Sequence, residues 1–122
     1  MTRNEILQMP AGREMDLLVA IRLMGEDASL LKVNREDSYF ENHLPRYSTD
    51  IAAAWEVVEK MQSFDLEMEY PGEWRASAML AGSDWGQTIS DQTAPLAICR
   101  AALLAVMEAE PSPEREETHT ET

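Results

Sequence analysis

A chain of 122 residues, 44% of them hydrophobic, is long enough for one domain with one core and too apolar to be wholly disordered. Its 23 acidic residues against 10 basic ones give a formal net charge of -13, which disfavours wrapping a nucleic-acid backbone, because that needs a basic surface to displace counterions. Such a charge suits a basic protein partner or imitation of a polyanion, and it leaves room for a small charged ligand, since screening over about 8 Å lets a local arginine outweigh distant acids.

The single cysteine, Cys99, excludes an intrachain disulfide and suits a reducing compartment. No charged-then-apolar leader precedes the first helix, and no apolar run approaches the roughly 20 residues that cross a bilayer. The expectation is a cytoplasmic protein without membrane contact.

In chain order, Thr2-Arg3-Asn4-Glu5 reads as a capping box that starts a short helical turn, interrupted by Pro10. A helix is predicted over about Gly12–Met24, with Leu17, Ala20, Ile21 and Met24 on one face and Gly25 as its stop. Asp16 lies beside that face, where pairing with Arg13 one turn back is favoured over a ligand role. Leu30–Val33 and Tyr39–Leu44 are read as two short strands joined by polar residues, and Pro45 ends the segment.

The stretch RYSTDIAAAWEVVEKM, Arg46–Met61, carries the next helix. Ser48-Thr49-Asp50 supplies N-cap chemistry, and Ile51, Ala54, Trp55, Val58 and Met61 recur at helical spacing as the predicted buried stripe. The clearest strand follows: Phe64, Leu66, Met68 and Tyr70 alternate with Asp65, Glu67 and Glu69, so one face is apolar and the other acidic and wet.

Trp74, Ala76, Ala78 and Leu80 alternate on the return strand, with Trp74 assigned to the core. Keeping like faces together predicts a three-residue loop, Pro71-Gly72-Glu73, which pairs Tyr70 with Trp74 and sets Glu69 opposite Arg75. Ala81–Gln92 reads as a polar loop with Trp85 in its middle, and Thr93 caps the last helix. From Ala94 to Met107 that helix carries one charge, Arg100, so it is predicted to be covered on more than one side, inside the domain or by a second copy.

The order α-β-β-α-β-β-α describes an α+β domain over residues 1–110, a small antiparallel sheet packed with three helices, and PSPEREETHTET reads as a disordered acidic tail over 111–122. Three blocks, TRNEILQMPAGREMDLLVAIRLMG, LPRYSTDIAAAWEVVEKM and TAPLAICRAALLAVME, together resemble the phage ABA sandwich domain proteins, small proteins of phages and prophages of mainly Gram-positive bacteria. The order of an aliphatic first helix, an A-A-W-x-x-[VI]-E-K helix, a Trp-containing hairpin and a PL-x-x-x-RAAL helix is also similar to the phage NinX-type proteins. The resemblance implies a helix–sheet–helix sandwich and a phage origin, and it carries no catalytic residues with it.

Phosphate-loop, nucleophile-elbow and zinc-protease motifs are absent from the sequence, as is any Cys/His cluster, so neither catalysis nor a metal or cofactor is expected. Cys99, set in an apolar helix, reads as an inert buried thiol. The best candidate constellation is Arg46, Tyr47, Ser48 and Asp50 at a helix N-terminus, where an arginine and free amides hold phosphate and an aromatic ring stacks on a base. Against it stands capping by Ser48 or Asp50, with Tyr47 packed under Trp55.

Trp85, between two glycines, is read either as a lid over a planar ligand or as docked on the sheet edge. Arg100 needs an acid, a carbonyl or a ligand phosphate. The leading reading is an oligomeric phage accessory protein that sequesters a small nucleotide-like signal of host immunity. The alternatives are an acidic inhibitor occupying the nucleic-acid groove of a host nuclease or polymerase, and an oligomer with no ligand.

Overall fold

A computed structural model describes residues 2–27, 29, 43–79 and 86–109, the side chains of 108 and 109 aside. Within them the elements are α1 (Arg3–Gln8), α2 (Arg13–Arg22), α3 (Ile51–Val58), β1 (Ser63–Tyr70), β2 (Glu73–Met79), β3 (Gln87–Asp91) and α4 (Ala94–Ala109). The fold is α+β: a three-stranded antiparallel sheet of order β1-β2-β3 packed against helices. No helix of the described residues is long and apolar enough to cross a membrane.

The helix ends follow the capping chemistry. Thr2 Oγ1 accepts from the Glu5 amide (3.2 Å) and starts α1, Gly25 takes the left-handed conformation (φ 81°) just beyond α2, and Thr93 Oγ1 accepts from the Leu96 amide (3.3 Å) at the head of α4. For α3 the cap is Asp50, whose carboxylate accepts from the Ala52 amide at 3.1 Å.

The central element is α4. Ala97, Ile98, Cys99 and every residue from Ala101 to Ala105 are buried, which one packed face cannot achieve. β2 and β3 cover one side of it, and α3, α1 and α2 pack against it elsewhere. The layers of the described residues therefore run sheet, α4, remaining helices, and the cover that the sequence demanded for α4 comes from within the domain.

Three expectations are corrected. The buried face of α3 is Ala53, Ala54 and Val57, while Ile51 (48%) and Trp55 (49%) are exposed. The helix has turned its small residues towards alanine-rich α4, where short side chains permit close approach.

The hairpin register is reached by another device. Tyr70 pairs with Glu73 across a two-residue turn, Pro71-Gly72, with Gly72 at φ 80°, yet Met68 pairs with Trp74. A bulge at Glu69 absorbs one residue, and beyond it Leu66 faces Ala76 and Phe64 faces Ala78. Keeping apolar residues together governs the register, as expected, but the bulge achieves it and the three-residue loop does not form.

Third, residues 87–91 of the predicted loop are a strand. β3 pairs with β2 as Ala76↔Ile89 and Ala78↔Gln87, and the Ser77 and Thr88 hydroxyls lie 2.9 Å apart across the ladder. Arg3 also reaches Gln87 Oε1 at 2.8 Å, tying α1 to this edge. The predicted strands at 30–33 and 39–44 lie outside the described residues except for His43 and Leu44, which form a turn. Leu80, Trp85 and the 111–122 tail also lie outside them.

Gly86 enters β3 against the backbone of β2, where an added Cβ would lie 2.7 Å from the Ala78 carbonyl oxygen. Gly86→Ala is therefore expected to lower stability by about 1–2 kcal/mol through backbone overlap, measured by urea unfolding.

Candidate functional site

The 46–50 corner is built by a turn in which the Arg46 carbonyl accepts from the amides of Thr49 (3.2 Å) and Asp50 (2.8 Å). This turn directs Ser48 inwards. Ser48 is fully buried, and its hydroxyl sits between Asp16 Oδ1 (2.6 Å) and the backbone of Gly12, whose amide donates to Oγ at 2.9 Å. The Ser48 amide donates to the same Asp16 oxygen at 2.8 Å.

The other Asp16 oxygen pairs with Arg13 Nη1 at 2.8 Å, and Arg13 Nη2 donates to the Leu44 carbonyl at 2.7 Å. The expected Arg13–Asp16 pair is thus present as part of a larger buried network that fastens the corner to the start of α2. Asp16 is 1% exposed, and its charge is matched by an arginine and two Ser48 donors, the condition under which a carboxylate is tolerated in a core.

Of the residues predicted to grip a ligand, then, Ser48 is committed to the interior and Asp50 to capping α3. Tyr47 is buried at 4% exposure, while Trp55 is half exposed. Arg46 is exposed.

Arg100 belongs to a second cluster. Its Nη1 pairs with Asp91 Oδ1 at 2.6 Å and its Nη2 donates to the Met9 carbonyl at 2.7 Å. Of the partners the sequence left open, an acid and a carbonyl are the two it has. Asp91 was not singled out because its strand carries one buried apolar residue, Ile89, too little for alternation to show. Together the clusters hold the connector between α1 and α2 at both ends, Arg100 at Met9 and Ser48 at Gly12.

Cys99 is fully buried, and burial first, with the negative charge of Asp16 second, pushes its thiol well above the usual range. Thiolate is the reactive form, so the native chain is expected not to react with a disulfide exchange reagent at pH 8, whereas urea-unfolded chain releases one thiol equivalent. A stoichiometric native reaction would contradict this packing.

The open part of the molecule is the sheet. Its outer face carries Asp65, Glu67 and Glu69 of β1, Arg75 and Ser77 of β2, and Thr88 and Ser90 of β3, nearly all exposed. Arg75 bridges Glu67 Oε2 (2.8 Å) and Glu69 Oε1 (3.1 Å), and the Glu67 hydrogen bond, then the charges of both glutamates, hold the guanidinium further in its protonated form. The expected Glu69–Arg75 pair forms, although Glu67 is the residue directly opposite. On the other face, the end of β1 is uncovered at Met68, 57% exposed, while beyond the bulge Tyr70, 65% exposed, pairs with Glu73. Among the described residues no group of three His, Cys, Asp or Glu side chains is placed to hold a metal ion.

A family model, the phage ABA sandwich domain, matches residues 17–103. The fold is similar to the 2.0 Å crystal structure of a phage protein from Bacillus cereus ATCC 14579, with a TM-score of 0.60 and 24% identity over 80% of this chain and 92% of that one. At that identity the likeness concerns the fold alone. No curated protein matches the chain. The family match spans α2 from Leu17 onward, α3, the whole sheet and most of α4, and the chain belongs to the phage ABA sandwich domain family.

Proposed function

We propose that this chain is a non-enzymatic phage accessory protein that acts by binding a basic surface on a host protein through the acidic face of its sheet. The observation that carries this reading is the solvent-facing row Asp65, Glu67, Glu69, opposed among the described residues of that face by Arg75 alone. Carboxylates at alternate strand positions repeat about every 6.8 Å, the rise of two nucleotides along one strand of B-DNA. A groove shaped for phosphates would meet a comparable row of negative charge. Capture of a small nucleotide-like signal draws less support, because Ser48, Asp50 and Arg100 are engaged within the fold.

The test is retention of host proteins from lysate by the full chain and by the double variant Asp65→Lys/Glu67→Gln, at low and high salt, with mass spectrometry of both proteins and released small molecules. A partner held at low salt, lost at high salt and lost by the variant is the expected result. A nucleotide that co-purifies in stoichiometric amount and survives high salt would overturn the reading in favour of sequestration.

A further inference from the structure

β1 is an edge strand: it pairs with β2 on one side and, among the described residues, with nothing on the other. Alternate amides and carbonyls of such a strand point away from the sheet and can template a further strand. From Ser63 to Met68 the ladder is regular, and the bulge at Glu69 confines the distortion to the turn end. Its side chains are sorted by face up to the bulge, acids at 65 and 67 on the outer side with Glu69 reaching Arg75 there, and Phe64, Leu66 and Met68 on the inner; beyond the bulge Tyr70 pairs with Glu73 and so leaves the inner row. The inner row is half-buried at Phe64 and Leu66 and open at Met68.

We infer that the outer edge of β1, unpaired among the described residues, takes up an extended segment of a partner protein that carries Lys or Arg at alternate positions and apolar residues between them. Resting on the proposed binding role, this names the recognition mode and the partner chemistry. The charges select the occupant. A second copy adding its own β1 would set acid against acid on the outer face, which destabilises cross-strand pairs, whereas a basic segment sets cation against carboxylate there. Arg75 pairs with Glu67 and Glu69 from the β2 side, so three carboxylates meet one guanidinium and the row keeps a net negative charge. Apolar side chains of the incoming strand would cover Met68, which is 57% exposed at the open end of the inner row.

The experiment uses the full chain and three synthetic eight-residue peptides: alternating Lys-Val, alternating Glu-Val, and Lys-Val with every second amide N-methylated. Amide hydrogen exchange of the free protein comes first, and outward-facing β1 amides are expected to exchange quickly. Slow exchange there would overturn the inference, because the edge would already be covered. On titration, Lys-Val is expected to bind and to protect β1 amides. Both the Glu-Val and the N-methylated peptides should bind at least about tenfold more weakly, as should Lys-Val to Asp65→Lys. Equal binding of the methylated and unmethylated peptides would show a charge contact without strand addition and overturn the inference. If no peptide binds while a salt-sensitive host partner is still retained, strand addition falls and the proposed function stands.

Discussion

Asp16→Ala is expected to remove about 3–5 kcal/mol of stability, a large share of what a domain of this size possesses. The side chain is 1% exposed and accepts three hydrogen bonds, two from Ser48 and one from Arg13. Alanine removes the acceptor of the buried Ser48 amide and the nearer of two acceptors of its hydroxyl, the other being the Gly12 carbonyl at 3.2 Å, and takes a carboxylate from an arginine of 21% exposure. Asp16→Asn keeps one acceptor for Ser48 and loses the charge, so it should fall between, at about 1–3 kcal/mol.

Urea unfolding at constant slope measures both, and for a domain of this size the alanine variant should also melt more than about 10 °C below the parent. A loss under about 1 kcal/mol would mean that the 46–50 corner is not held by this network. That result would reopen Ser48 as a ligand group, since the argument for its structural role is the completeness of its internal partners.

The role of Asp16 was half legible. Its spacing from Arg13 announces an ion pair one helical turn apart, but nothing local announces Ser48, 32 residues away and contributing both amide and hydroxyl. The capping vocabulary misleads at that point: Ser, Thr and Asp in a row each qualify as an N-cap, and only the chain path selects Asp50 and turns Ser48 into the core. Arg100 shows the same limit from the other side. A lone charge in an apolar helix states that a partner exists, whereas the partner lies on a strand held by its neighbour's ladder more than by its own pattern.

Elements with a strong one-dimensional signal were read correctly in kind. The long apolar helix, the alternating β1 and the Thr2 cap are each set by residues within one turn or one pleat of each other. The α3 stripe holds at Ala54, Val58 and Met61, which are buried or packed against the core, and fails at Ile51 and Trp55, because hydrophobicity ranks them above alanine, while helix packing ranks residues by how closely they let two helices approach. The hairpin failed more narrowly. Parity correctly required even residues to face even residues from Phe64 to Met68, but parity is restored equally by a longer loop or by a bulge, and hydrophobic alternation does not choose between them.

The pair Asp91–Arg100 gives the second large effect, and here the sign of a coupling carries the information. Asp91→Ala should cost about 3–5 kcal/mol, because Arg100, 13% exposed, would keep its charge in the interior with only the Met9 carbonyl to receive it. Arg100→Met strands a carboxylate of 11% exposure and should cost a similar amount. Pairing is incomplete: Asp91 Oδ2 and Arg100 Nε are buried without a hydrogen-bond partner among the described residues, so the contact is single-pronged where a two-pronged one is available to these groups.

A pair that leaves donor and acceptor capacity unused recovers less of its desolvation cost, so Asp91→Ala/Arg100→Met should be less damaging than either single change, by at least about 1 kcal/mol in the cycle. Strongly destabilised single variants rescued by the double are what a structural clamp on the α1–α2 connector requires. Should Arg100→Met instead leave stability within about 0.5 kcal/mol of the parent while abolishing retention of a host partner or nucleotide, the guanidinium would belong to a binding site and its contact with Met9 would be incidental.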